Sequence, residues 1–375
     1  MKIASCRRGA AAKALACGAS LILFAAMRPA LADAVGPSPV APYSVSTFAV
    51  SENGYTAPDS ITFSRHYVFV GYGNGGAPDG SGGAKSTIVM YKMDGTVVRT
   101  FTVVGHNDGL RYNITAGELW ALQNEDANAT LIIIDPNTGK QKTFVLGTGP
   151  HGGGYDDLDF DGNALYVSAS NPTIETAPGI ARLKFKGKKV ELMGILNDDA
   201  SATDVTTGET VTLNLTDPDS MIVDPYGELL LDSQGDGELI IVQHPGRACQ
   251  KNLLVPLTTS LADGTVPGDT TADDTVFANA AKGTLLVADK NEEAVYAITA
   301  PYFAPGAAYT AIVSVTAPGG STVVEAFVGQ TDLTTGFVTP IVTGLSNPGG
   351  MAFIPAGGNP NLVATSVVNE ANECP

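Results

Sequence analysis

Basic residues are scarce: 21 lysines and arginines face 38 aspartates and glutamates in 375 residues, a formal net charge of −17. Phosphate binding needs clustered Lys and Arg, so nucleic acid and anionic membrane surfaces are excluded as main partners. Cysteine is also sparse, four in all and never as Cys-x-x-Cys, which argues against a thiolate zinc site. The four histidines, His66, His106, His151 and His244, lack metalloprotease spacing, and no Gly-x-Ser-x-Gly elbow occurs. Long apolar runs are missing apart from one near the start, and no extended amphipathic helical pattern is present. What the chain has instead is 43 Gly, 23 Pro and abundant Val and Thr, the composition of an all-β protein.

The one apolar run follows a basic start. Lys2, Arg7, Arg8 and Lys13 lead into "ALACGASLILFAAM", and "ALA" at 30–32 fits an A-x-A cleavage site. The run is short for a membrane span and wrongly flanked. Residues 1–32 therefore read as a signal peptide and residues 33–375 as a single mature domain. Arg7-Arg8 touches on the twin-arginine pattern, but Gly-Ala-Ala follows the pair where bulky apolar residues are usual, so the export route stays open. Cys17 precedes its apolar region, which does not fit a lipobox. Cleavage would remove five basic residues and no acid, taking the net charge from −17 to −22. A soluble, periplasmic or secreted monomer is expected, with no membrane span and no nucleic-acid partner. Cys249 and Cys374 would remain, and in an oxidising compartment they could form one bridge that ties down the C-terminus.

A unit recurs along the mature chain: a short polar lead-in with an acid or Gly, an apolar strand, a turn and a second apolar strand. The copies are "APDSITFSRHYVFVGYGNG", "GHNDGLRYNITAGELWALQNED", "GYDDLDFDGNALYVSASNP", "DPDSMIVDPYGELLLDSQGDGEL", "TADDTVFANAAKGTLLVADKNEEAVYAI" and, more weakly, "LSNPGGMAFIPAGGNPNLVATSVV". With Asp59, Asp108, Asp157, Asp219, Asp274 and Gly349 as equivalent points, the separations are 49, 49, 62, 55 and 75 residues. About fifty residues holds a four-stranded sheet with its turns, the size of a propeller blade. The pattern predicts a six-bladed β-propeller, with seven blades as the alternative if the longest interval hides a degenerate unit. "YTAIVSVTAPGGSTVVEAFVG" in that interval reads as an extra hairpin. "YSVSTFAVS" at 43–51 lacks a lead-in and reads as the outer strand that closes the ring. Trp120 reads as a strand residue packed between blades.

In such a ring the first residues of each innermost strand meet at one channel mouth, although they are far apart in sequence. Each Asp could make a local Asx turn into its strand. Taken together, acids crowded on one axis call for a cation or a proton. A small-molecule substrate or ligand at that mouth is expected.

Two copies resemble the senescence-marker/gluconolactonase (regucalcin-like) propellers, with propellers of NHL type as near relatives. "NDGLRYNITAGELWA" is similar to that family's Asn-Asp-Gly blade, and "PDSMIVDPYGEL" to its Pro-Asp-Gly-Met blade. The resemblance implies a divalent metal in the channel, Ca²⁺ foremost, and places Asp219 as metal ligand and general base. Asp156 or Asp157 stands where the family has a ligand Asn. The family's first-blade Glu has no counterpart, and Asp59 is the residue on offer there. The expected ligands are then Asp59, Asp156, Asp157 and Asp219. Asn107, Asp108 and His106 are expected to contact substrate, and His151 to act as acid or base.

Other signals fall away. Gly147, Gly149 and Gly152 form Gly-x-Gly-x-x-Gly, but strand rather than helix follows. "DLDFDG" and "DSQGDG" imitate calcium loops whose twelfth positions are Ser168 and Gln243 rather than a bidentate Glu. Two functions remain: an exported metal-dependent hydrolase of the lactonase or esterase type, or a non-catalytic propeller that binds a ligand or partner protein and uses any calcium structurally.

Overall fold

The structure, a computed structural model, describes residues 36–358 and 374, less 53, 188, 261–269, 318–320 and 324–325. The expected signal peptide and the second half of the sixth repeat lie outside the described residues.

Six sheets, antiparallel apart from one parallel pair between Ser201–Asp204 and Lys251–Pro256, form a ring of blades, so the chain is a six-bladed β-propeller and the seventh blade is excluded. The innermost strands are Pro58–Phe63, Asn107–Asn113, Tyr155–Asp161, Pro218–Val223, Thr270–Phe277 and Pro348–Pro355, for blades one to six. They correspond to the six lead-ins seen in the sequence, and the strand of blade six lies against that of blade one. Helix among the described residues is limited to two short 3-10 turns, Ser81–Gly83 and Gln234–Asp236. No helix among them is long and apolar enough to cross a membrane.

The second strands, such as Glu118–Gln123 and Leu229–Ser233, are apolar and almost wholly buried because both of their faces meet a neighbouring blade. The core is accordingly divided into clusters at blade junctions. Trp120, Leu122 and Leu131 of blade two pack on Leu158, Val167 and Ala181 of blade three. Trp120 stands edge-on to Phe160, 5.1 Å between ring centroids, so it does pack between blades. Each buried Leu contributes roughly 1.5–3 kcal/mol of transfer free energy. The outer strands alternate instead, as in Lys189–Asn197.

Blades five and six exchange strands. Thr270–Phe277 pairs with Ala308–Ala317, not with the adjacent Gly283–Asp289. The hairpin Gly283–Asp289 and Ala294–Thr299 crosses over and pairs with Pro348–Pro355 in blade six. The segment in the long interval does form a hairpin, Ala308–Ala317 pairing with Ser321–Val323 and Ala326–Asp332, but the hairpin is integral to blade five, which Phe337–Leu345 completes. A hairpin signature shows that two strands pair with each other, but not which inner strand they join. Here five residues, 278–282, separate the fifth inner strand from the hairpin. Backbone bonds Ala278 N to Ala307 O and Ala356 N to Lys282 O seal the two junctions. The N-terminal strand Ser44–Val50 lies outermost on blade six and closes the ring as its sequence suggests, and Ser38–Pro39 extends blade five. Cys249 and Cys374 form a disulfide, with Cα atoms 5.7 Å apart.

Candidate metal centre at the channel mouth

All six inner strands carry the same bulge. In blade one Pro58 pairs with Tyr72 and Ile61 with Val70, so three steps on one strand meet two on the other. The same step occurs at Asn107/Leu110, Tyr155/Leu158, Pro218/Met221, Ala272/Thr275 and Pro348/Met351. A bulge of this kind bends the strand and re-aims side chains. The two bulged residues are Asp59-Ser60, Asp108-Gly109, Asp156-Asp157, Asp219-Ser220, Asp273-Asp274 and Gly349-Gly350. The true equivalents in blades three and five are therefore Asp156 and Asp273, one residue before the points the sequence suggests.

The second residue of the pair serves the blade junction. Asp157 accepts from Met221 N at 3.2 Å, and Asp274 from Met351 N at 2.6 Å, the matching residue of the next blade in both cases. Asp157 also receives Arg111 Nη2 at 2.7 Å, and Arg111 reaches Met221 O at 2.8 Å and Asp159 at 3.6 Å. Burial pushes Asp157 up to about 6, and Arg111 pulls against it. Asp274 goes up to about 8 for the same reason, and its Oδ1 has no partner.

The first residue faces the mouth. Asp59, Asp108, Asp156, Asp219 and Asp273 line one cavity of about 230 Å³ with Glu125, Gln234 and Lys290. In blade six Gly349 leaves the position open: a Cβ there would lie 3.2 Å from Asp59 Oδ1 and 3.2 Å from Asp273 Oδ1. Lys290, just past the second strand of that blade, fills the gap and pairs with Asp59 at 2.9 Å. Gln234 stands at the matching place in blade four and donates to Asp219 and Asp273. Asp59, His106 and Asp108 each offer a ligand atom within 4.8 Å of the others. Asp108, Glu125 and Asp156 do the same, so Asp108 is shared.

Nine carboxyl groups and two cations line this cavity. Two ionised carboxylates about 4 Å apart repel by about 4 kcal/mol at the effective dielectric of a partly buried site. The group cannot be fully ionised without a counter-charge. Burial and neighbouring acids hold Asp59, Asp156, Asp219 and Glu125 well above the usual carboxylate range, and burial raises Asp273. Burial would raise Asp108 too, but hydrogen bonds from Asp156, Asp59 and Glu125 and the charge of Lys290 outweigh it and keep Asp108 ionised. These acids share protons as one coupled set.

The acids of the outer turns behave differently. Asp94, Asp135, Asp204 and Asp332 accept backbone N–H bonds from residues two or three further on, and hydrogen bonding lowers each of them. Those are Asx turns. None of the five mouth aspartates accepts such a bond among the described residues. Asp156, 6% exposed, accepts no hydrogen bond from any described donor outside the acid cluster.

Of the residues singled out in the sequence, Asp59, Asp108, Asp156, Asp219 and His106 come together. Asp157 reaches the cavity wall but is committed to Arg111 and blade four. Asn107 is buried and donates to Gly109 O and Leu122 O, so its amide is used within the blade and does not face a substrate. His151 is fully buried in its own loop, with Nε2 on Gly154 O at 2.5 Å and its ring edge-on to Tyr155; it does not line the cavity. Burial holds its imidazole below the usual range. Sequence reading missed Glu125, Asp273, Gln234 and Lys290. Three of these follow the second strand, which runs antiparallel to the first and so returns to the same mouth. "LQNED", "LDSQ" and "VADK" were the available signal.

Fold and site thus define a six-bladed propeller with an acidic channel mouth. No family model and no curated protein matches the sequence. Among solved structures the chain is similar to a protein of unknown function from Bacteroides caccae, at 9% identity over 80% of this chain and 88% of that one, with a TM-score of 0.45. It is similar to virginiamycin B lyase from Staphylococcus aureus at 11% identity, 68% and 99% coverage and a TM-score of 0.40. A streptogramin B lyase matches at 13% identity, 83% and 98% coverage and 0.40. The chemistry of this chain has to be read from its own residues.

Proposed function

We propose that the acidic mouth binds a divalent cation, Ca²⁺ foremost, and that the protein is an exported enzyme of the hydrolase or lyase type, most specifically a lactonase or esterase. The observation that carries this reading is the convergence of two triads, Asp59 with His106 and Asp108, and Asp108 with Glu125 and Asp156, each within ligand distance and joined at Asp108. The donor set is all carboxylate apart from His106, which suits a hard cation with oxygen ligands. Such an ion, when bound, would polarise a carbonyl oxygen of the substrate.

The chain's own groups have separate tasks. Asp219, held by Gln234 beside Asp273, serves in this reading as general base, with burial and neighbouring acids holding its proton affinity well above the usual carboxylate range. Lys290, paired with Asp59, offers an ammonium to a developing negative charge. Export is supported by the basic and apolar leader and by the Cys249–Cys374 bridge, which belongs in an oxidising compartment. The regucalcin-like resemblance agrees with this reading at Asp219 and departs from it at Asn107 and in the missing first-blade Glu.

One observation favours a second reading. Lys290 already sits 2.9 Å from Asp59 and puts an internal cation into the ring. A non-catalytic propeller could use that ammonium in place of a metal and bind a ligand without turning it over. A panel of lactones and aryl esters, assayed with Ca²⁺, Zn²⁺ or Mn²⁺ and with chelator, separates the two. Turnover that disappears with chelator and in Asp219→Asn supports the enzyme; silence across the panel leaves the binder.

A further inference from the structure

The same six strands form a second cavity, of about 310 Å³, at the opposite end of the channel. Arg111 lines both cavities, and its ion pairs with Asp157 and Asp159 separate them. Five residues past the start of each bulge stand Phe63, Tyr112, Phe160, Val223, Phe277 and Phe353, all lining this second cavity. Five of the six are aromatic. Their positions are set by the bulge: the step that turns an acid to one mouth brings a ring to the rim of the other.

The polar atoms left free at this rim are mostly acceptors. Asn279 Oδ1 is buried without a partner. Asp161 makes no side-chain hydrogen bond with any described residue, and Arg182 and Arg247 act on it only at a distance without closing an ion pair. Asp224 has its Oδ1 on the amides of Tyr226 and Glu228, which leaves its other oxygen available. The one cation lining the cavity, Arg111, is already committed to Asp157, Asp159 and Met221 O.

A concave site with apolar and aromatic walls and a few convergent polar atoms is the usual form of a small-molecule pocket. Acceptors that close no ion pair with a protein cation, beside half-buried rings, select a positive group.

We infer that the far mouth is a ligand site for an organic cation, an apolar or aromatic body carrying a protonated amine. The body lies among Phe63, Tyr112 and Phe160, and the amine faces Asp161, Asp224 and Asn279. This site shares no acid with the candidate metal centre and stands whether or not that centre is catalytic.

Tryptamine is a suitable probe, titrated calorimetrically into the mature chain, with indole-3-propionate as the anionic control. Saturable tryptamine binding is expected, with little or none for the control. Asp161→Asn and Ile114→Arg should each weaken it by about tenfold. Ile114 is exposed at the rim, so that variant leaves folding intact. Asp219→Asn, at the other mouth, should leave the affinity unchanged. Absence of tryptamine binding overturns the inference, as does equal binding of indole-3-propionate. Binding lost in Asp219→Asn but kept in Asp161→Asn also overturns it, because the amine is then held by the acidic mouth.

Discussion

The two mouths of the channel are built from the same six strands and the same bulge, yet one is carboxylate and the other aromatic. At the near mouth Asp59, Asp108, Asp156, Asp219 and Asp273 converge with Glu125 around Lys290. At the far mouth Phe63, Tyr112, Phe160, Phe277 and Phe353 occupy the matching later position. Four residues of extended chain, roughly 13 Å, separate a mouth crowded with nine carboxyl groups from one walled by rings and lined by three, Asp159, Asp161 and Asp224. Strand geometry fixes where each residue goes, and the residue type then decides the chemistry.

Arg111 divides the two, so replacing it should have the largest effect. Arg111→Met leaves Asp157 and Asp159 buried without their counter-charge, which costs about 3–5 kcal/mol. Chemical denaturation checks this; a loss under about 1 kcal/mol would mean that the acids protonate easily and the division is not electrostatic.

The next effect is a pH dependence to which the floor of the near mouth contributes. Asp157 is raised to about 6 and Asp274 to about 8 by burial. Their folded values exceed the unfolded ones, so the stability they contribute is complete below about pH 4 and is lost as pH rises through 6 and then 8. In chelator the melting temperature should fall by several degrees between about pH 5 and pH 8. Calcium should restore most of that loss at pH 8 and little at pH 5. A melting temperature that rises with pH in chelator would reverse the sign of the account.

A smaller effect distinguishes the rims. Phe63→Leu, a change among apolar residues, should cost about 1 kcal/mol and leave calcium affinity as it was. Any shift of calcium affinity in that variant would show that the mouths are coupled through the strand.

The six lead-ins were legible because each repeats an acid or Gly, an apolar pair and a turn at propeller spacing. Asp59, Asp108 and Asp219 could be placed from that register alone. At "YDDL" and "ADDT" two adjacent acids fit equally well, and only the bulge decides that Asp156 and Asp273 face the mouth while Asp157 and Asp274 bond the next blade. The strand exchange was hidden for a related reason. "GTLLVADKNEEAVYAI" announces a hairpin, while its partner strand, Pro348–Pro355, lies some sixty residues on. Lys290 was missed because a lone lysine after a strand looks solvated until the ring brings Asp59 to it.

The central claim is that the near-mouth acids hold a divalent cation in place of the protons they otherwise share. Calcium titration by calorimetry near neutral pH, repeated in buffers of different ionisation enthalpy, measures both the binding and the protons released. Saturable binding that releases protons in the wild type, and is lost in Asp156→Asn, is the predicted result. No binding, or equal binding with no proton release in both proteins, would contradict it.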